Sequence, residues 1–181
     1  MTDKPARTIP GLLGLDHIGI TVPDLDEAVA FFAGLLGCQK VLDFGPVGDD
    51  QGSFMTDVLG VHARARIERA AVVRTGRGSN IELVQYSAPD QRDLAGRNSD
   101  TGAFHLGLYV RDIAVAKAFL DEAGITTRFG PVPINDGPIA GQSILYFRAP
   151  WGLELEAVSY PNGMAYEAES EILLWDPRKP D

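Results

Sequence analysis

Asp16-His17-Ile18-Gly19-Ile20-Thr21-Val22-Pro23-Asp24-Leu25 occurs a second time as Phe104-His105-Leu106-Gly107-Leu108-Tyr109-Val110-Arg111-Asp112-Ile113. The shared pattern is His, aliphatic, Gly, aliphatic, any residue, Val, any residue, Asp, aliphatic. Ile81-Glu82-Leu83-Val84-Gln85-Tyr86 likewise matches Leu155-Glu156-Ala157-Val158-Ser159-Tyr160, and Phe44-Gly45-Pro46-Val47 matches Phe129-Gly130-Pro131-Val132. Three matches in one order identify a duplicated chain. Each copy opens on a histidine and closes on a glutamate: His17 and Glu82, then His105 and Glu156.

Working outward, Leu13 to Val22 reads as a strand stopped by Pro23. Asp24, with Glu27 three residues on, forms the start signal of a helix. Leu25, Ala28, Val29, Phe32 and Leu36 recur at helical spacing, and Gly37 ends the run. Val41 to Phe44, Arg64 to Thr75 and Asn80 to Tyr86 read as strands, the last two joined through Gly76-Arg77-Gly78-Ser79. The second copy repeats the order: strand Ala103–Val110, helix from Asp112 to Gly124, then strands Thr126–Phe129, Gln142–Arg148 and Leu153–Tyr160. Each copy is thus β-α-β-β-β. The expected organisation is a lead-in (1–11), a first module (12–87), a linker (88–102), a second module (103–161) and a tail (162–181). The fold class is α+β, as a curled mixed sheet around a cleft. The first copy carries about 11 extra residues around 48–60, where Phe54, Met55, Val58 and Leu59 can make one or two helical turns. Such an insertion is either a lid or a passive surface loop.

With 181 residues, 45% apolar, the chain is long enough for a proper core. Its net charge of −9 repels phosphate backbones and anionic lipid, so neither nucleic acid nor membrane is an expected partner. Residues 1–10 hold no apolar signal segment, and no run nears the roughly 20 apolar residues of a membrane helix. The one cysteine, Cys38, has no internal partner and reads as a small buried hydrophobe. A cytoplasmic location follows as an expectation. Ile172-Leu173-Leu174-Trp175 in the tail is too apolar to stay solvated, so a homodimer is expected, with the tail covering the body or the partner.

Alternate residues of a strand share a face. His17 therefore shares its face with Gly19, and His105 with Gly107. Glu82 lies between Ile81 and Leu83, and Glu156 between Leu155 and Ala157. Those apolar neighbours face the helices, so both carboxylates face the other way. A lone strand histidine is usually a packing residue, and a lone strand glutamate usually meets water. Two of each at equivalent places in two copies instead make a nitrogen–oxygen site for one divalent ion: Mn, Fe, Co, Ni or Zn. Four protein ligands on an octahedral ion leave two positions, which suits a small molecule with two adjacent oxygens.

The paired His-x-Gly-x-x-Val-x-Asp strands, the two glutamate strands and Ala149-Pro150-Trp151-Gly152-Leu153-Glu154-Leu155-Glu156 resemble the vicinal oxygen chelate superfamily over roughly residues 12–161. That superfamily spans glyoxalase, bleomycin-resistance and extradiol dioxygenase proteins. The opening strand looks most like its methylmalonyl-CoA epimerase and cyclitol epimerase members. The resemblance implies metal ligands at His17, Glu82, His105 and Glu156. It also implies an epimerase or isomerase that removes a proton next to a chelated carbonyl through an enediolate or enolate. A glyoxalase I-like lyase, an extradiol-type dioxygenase and a metal-free binding or resistance protein are the alternatives. Glu154, Glu68 and Glu156 are the candidate bases, and Tyr109, Tyr146, Phe54 and His62 the candidate substrate contacts.

Overall fold

Each copy of the repeat folds as a four-stranded mixed sheet with one helix packed on one face. The computed structural model describes residue 9, residues 11–93 and residues 96–179. The expected lead-in lies outside the described residues at 1–8 and 10, as do 94–95 of the linker and 180–181 of the tail. The chain divides into two compact units, 1–89 and 90–181. The first contains β1 (His17–Thr21), α1 (Leu25–Val29), β2 (Gln39–Phe44), β3 (Arg66–Arg74) and β4 (Asn80–Ser87). The second contains β5 (Leu106–Tyr109), α2 (Ile113–Glu122), β6 (Val132–Pro133), β7 (Ser143–Arg148) and β8 (Glu154–Ser159). The strand orders are β1-β4-β3-β2 and β5-β8-β7-β6. β1 runs parallel to β4 and β5 parallel to β8; the other pairs are antiparallel. The α+β class read from the sequence holds, as two four-stranded sheets.

The helix starts follow from their caps. Asp24 accepts a hydrogen bond from the Glu27 N–H at 2.8 Å, and Asp112 accepts from Ala114 and Val115 at 2.9 and 3.0 Å. Each satisfies donors that the first turn leaves unpaired. Gly37 and Gly124 close the two helical segments at φ +74° and +72°, a conformation that favours glycine. Beyond Val29 the first helix widens into π-type turns over Ala30–Leu35, with Leu36 N–H donating to Phe31 C=O. Adjacent Phe31 and Phe32 are both buried there, edge-on with centroids 5.4 Å apart.

α1 packs on β3 and β4. Arg69 forms a two-pronged ion pair with Asp26 at 2.8 Å per contact, and Gln85 accepts from the Leu25 N–H at 3.0 Å. Ile81 and Leu83 are buried on this helix side of β4, and Leu155 and Ala157 on that of β8. The opposite faces carry Glu82 and Glu156.

Several features differ from the expectation, among them β5, which begins at Leu106 rather than Ala103. β1 begins at His17 rather than Leu13, because its partner β4 begins at Asn80, in register with His17. Residues before 17 have no neighbouring strand, and Leu13 and Leu15 stand exposed. Residues 126–129 form no strand. Thr127 makes one isolated bridge to Phe147, and the edge strand is Val132–Pro133 instead, after Pro131, which has no N–H to give. Cys38 is only half-buried.

The insertion in the first copy is anchored. Asp49 accepts from the Gly52 and Phe54 N–H groups at 2.7 and 3.1 Å, closing a turn into π-type winding at Phe54–Val58. Met55 is 1% exposed, and Leu59 and Val47 pack on Ile67, Ala70 and Val84, on the face of β3 and β4 that carries Glu82. In the second unit the tail turns once at Ala165–Ala168 and is pinned by Arg178. That guanidinium bonds Asp176 and the Tyr160 carbonyl and lies 4.6 Å over the Tyr160 ring. Ile172 and Trp175 nevertheless remain 85% and 59% exposed.

Candidate metal and catalytic site

Both units present a histidine facing a glutamate, in matching register. In the first, Gly19 stands opposite Glu82 on the neighbouring strand, and His17 Nε2 lies 3.6 Å from Glu82 Oε2. In the second, Gly107 stands opposite Glu156, and His105 Nε2 lies 3.4 Å from Glu156 Oε2. His105 sits one residue ahead of β5 rather than inside it. Gly19 and Gly107 lie beside the two carboxylates. A Cβ at Gly19 or Gly107 would meet Glu82 Oε2 at 3.7 Å or Glu156 Oε2 at 4.0 Å. Each pair thus offers one imidazole nitrogen and one carboxylate oxygen to the same point, the donor types that divalent transition metals accept.

His17 is further fixed. Its Nδ1 lies 2.7 Å from Asp16 Oδ2, and Asn80 Nδ2 donates to the Asp16 carbonyl at 3.0 Å. A carboxylate on Nδ1 fixes the tautomer that leaves Nε2 bare, the outer support that metal-bound histidines commonly have. The Asp16 hydrogen bond raises the His17 pKa against the opposing effect of burial. Among the described residues no group of three or more His, Cys, Asp or Glu side chains is placed to hold a metal ion, and what each unit contributes is a pair. Each pair carries donor types that a divalent ion accepts.

The two pairs are not equal. Val72 stands beside Glu82, whereas the equivalent neighbour of Glu156 is Tyr146. The Tyr146 ring lies edge-on to His105 at 5.3 Å. Burial, the Glu156 charge and its hydrogen bond push the Tyr146 phenol up.

The other expected site residues fall in several places. Tyr109 stacks edge-on against Tyr160 at 4.9 Å, which ties it to the tail. Phe54 is exposed on the insertion. His62 accepts the Arg64 N–H on Nδ1 at 3.0 Å, a local turn contact. Glu68 is the extra residue of a bulge between Ile67 and Arg69 and accepts from the Ser87 hydroxyl. Ser87 is five positions along β4 from Glu82, roughly 16 Å of strand. Glu154 shares its strand face with Glu156, but its side chain is only 4% exposed, and Arg128 and Arg148 both bond its Oε1. Burial alone would raise this carboxyl; the two guanidiniums outweigh it and hold it below the usual range. Sequence reasoning misses Asp16, Arg128 and Arg148. Asp16 carries the signal of adjacency to His17, and Arg148 lies in phase with Tyr146 along β7.

The fold, the repeat and the duplicated pairs define a class, and comparison with known proteins gives the same one. Residues 16–146 match the family model of the Glyoxalase/Bleomycin resistance protein/Dioxygenase superfamily, and the chain belongs to that superfamily. It is 42% identical over 172 residues to a 2-epi-5-epi-valiolone epimerase of Actinomyces sp., covering 94% of this chain and 92% of that protein. A glyoxalase family protein from Bacillus cereus superposes with a TM-score of 0.65 at 22% identity, covering 85% of this chain and 98% of that one. A glyoxalase/dioxygenase from Nostoc punctiforme gives 0.57 at 20% identity, covering 87% and 98%. These likenesses to solved structures bear on the fold alone. The chain is an enzyme-type member of the superfamily with an epimerase as a near-full-length relative.

Proposed function

We propose that this protein is a divalent-metal-dependent epimerase of a cyclitol ketone, the class named by its Actinomyces relative. The observation that carries the reading is the 42% identity to that epimerase across 94% of the chain. The repeated His–Glu pairs support it.

His17, Glu82, His105 and Glu156 together would hold one ion. Bound there, a divalent cation supplies Lewis acidity to a substrate carbonyl oxygen. The chain's own groups do the rest. Asp16 orients His17, and Tyr146 orients Glu156. Glu156, its carboxylate freed from the ion, would take the proton from the carbon beside the carbonyl. The C–H electron pair becomes a C=C bond while the carbonyl oxygen takes up the charge. Return of a proton to the opposite face inverts that carbon, with Glu82 as the second carboxylate available for it. No electrons leave the substrate, so no oxidant is needed. Of the three carboxylates considered as bases, Glu156 suits the part best. Glu154 is engaged by two arginines, and Glu68 by Ser87 at the far end of β4. A base is most effective when its pKa lies near the working pH, and the lowered Glu154 moves away from it. The exposed apolar tail and the exposed Val41, Leu42 and Phe44 on edge strand β2 support a homodimer. No helix among the described residues is long and apolar enough to cross a membrane.

The test is proton exchange. Metal-loaded protein incubated in D2O with 2-epi-5-epi-valiolone should place one deuterium at the inverted carbon, seen by NMR, with no oxygen consumed. Oxygen uptake, or no exchange with this or related cyclitol ketones, would refute the epimerase reading.

A further inference from the structure

The face of β7 and β8 that carries Tyr146 and Glu156 also carries a cluster that the proton transfer does not use. Arg148 stands opposite Glu154 across the two strands, two residues from the Tyr146–Glu156 pair. With a period of two residues, all four side chains project to one side, and the two pairs lie about 7 Å apart along the strands. Arg128 joins from the connection after α2, its Nη2 donating to the same Glu154 Oε1 that Arg148 Nε bonds. The carboxylate is 4% exposed, while the two arginines are 54% and 41% exposed. Its second oxygen, Oε2, is buried with no partner. Glu154 is therefore a buried root for two guanidiniums that show their remaining N–H groups outward. Neither guanidinium makes another hydrogen bond among the described residues.

We propose that Arg128 and Arg148 form an oxyanion subsite for the substrate, receiving a phosphate or carboxylate substituent on the strand face that also carries Glu156. The inference rests on the epimerase reading and names its substrate class as an anionic cyclitol. Two guanidiniums on one carboxylate leave one surplus positive charge, set in a chain whose net charge is −9. That surplus lies on the exposed guanidiniums, on the strand face that also carries Tyr146 and Glu156. Guanidinium forks match planar or tetrahedral oxyanions through paired, charge-assisted hydrogen bonds. Glu154 acts as a positioning residue that sets the angle between the forks.

The experiment compares a neutral cyclitol ketone, its phosphate monoester and its carboxylate analogue in the deuterium-exchange assay. The metal-loaded wild type, Arg128→Gln, Arg148→Gln and Arg148→Lys are assayed, with thermal melts to confirm folding. The expected result is a kcat/KM at least ~30-fold higher for one anionic substrate than for the neutral one, as paired charge-assisted bonds allow. Either Gln variant should raise KM for that substrate ~10- to 100-fold with kcat little changed, and leave the neutral ketone unaffected. Arg148→Lys should recover part of the loss. Whichever anion is preferred identifies the source of the oxyanion. Equal turnover of neutral and anionic substrates, or equal losses on both in the Gln variants, overturns the proposal. If no substrate exchanges, the epimerase reading fails and the subsite is decided by calorimetry with inorganic phosphate. Binding lost in both Gln variants upholds it, and wild-type binding unchanged by them, or absent altogether, overturns it.

Discussion

Asp16 touches no substrate in the proposed reaction, yet its place beside His17 sets what that histidine can do. By holding Nδ1 at 2.7 Å it keeps Nε2 free to bind an ion. Asp16→Ala is expected to weaken metal affinity by about 10- to 100-fold, as losses of such outer carboxylates do; a competitive chelator titration measures it. Glu154 supplies the complementary case. On sequence it and Glu156 look interchangeable, two glutamates on one strand face, but one is enclosed by Arg128 and Arg148 and the other faces His105. Glu154→Gln should leave metal content and kcat nearly unchanged while raising KM. A fall in kcat of ~10²-fold with metal still bound would return the general-base role to Glu154.

At the scale of elements, the helices and the long strands were legible because each carries its own local signal: Asp24 and Asp112 as caps, Gly37 and Gly124 as stops, alternation along β4 and β8. Strand ends were not, because they depend on where a partner begins. Leu13 to Asp16 fail to join β1 only because β4 starts at Asn80. The histidine and glutamate pairs were legible as positions through the duplication. The arginines that flank Glu154 were not, since Arg128 reaches it from a connection whose path no periodicity describes. The insertion after β2 could be read as a lid or a loop; its Met55 is buried, and its Leu59 packs on Ile67, Ala70 and Val84 on the Glu82 face. Met55→Ala should cost about 2–5 kcal/mol of stability, measured by urea unfolding. The tail is held by an ion pair. Its Arg178 partner holds Asp176 at a pKa of about 2, below the ordinary 3.8. A depressed carboxyl stabilises the folded form fully above its unfolded pKa and loses that contribution as pH falls through the folded one. Tail docking is therefore expected to persist above pH ~4 and to weaken between ~4 and ~2. Trp175 fluorescence in a Trp151→Phe background should follow that transition, and Arg178→Ala should abolish it.

For the whole molecule, the duplication repeats one histidine–glutamate pair in each unit. A single pair offers two donors, and two donors hold a divalent ion weakly compared with four. Light scattering at micromolar concentration is expected to give a dimer mass, consistent with the exposed Ile172, Leu174 and Trp175; a monomer mass would remove the tail from any such interface. The most direct test of a shared metal site is the metal content per chain in the wild type, His17→Ala and His105→Ala after loading and desalting. On the proposal that the two pairs serve a single ion, one divalent ion per wild-type chain is expected, and far less than one in either variant. Two ions per wild-type chain, or a variant that keeps its full complement, would contradict it.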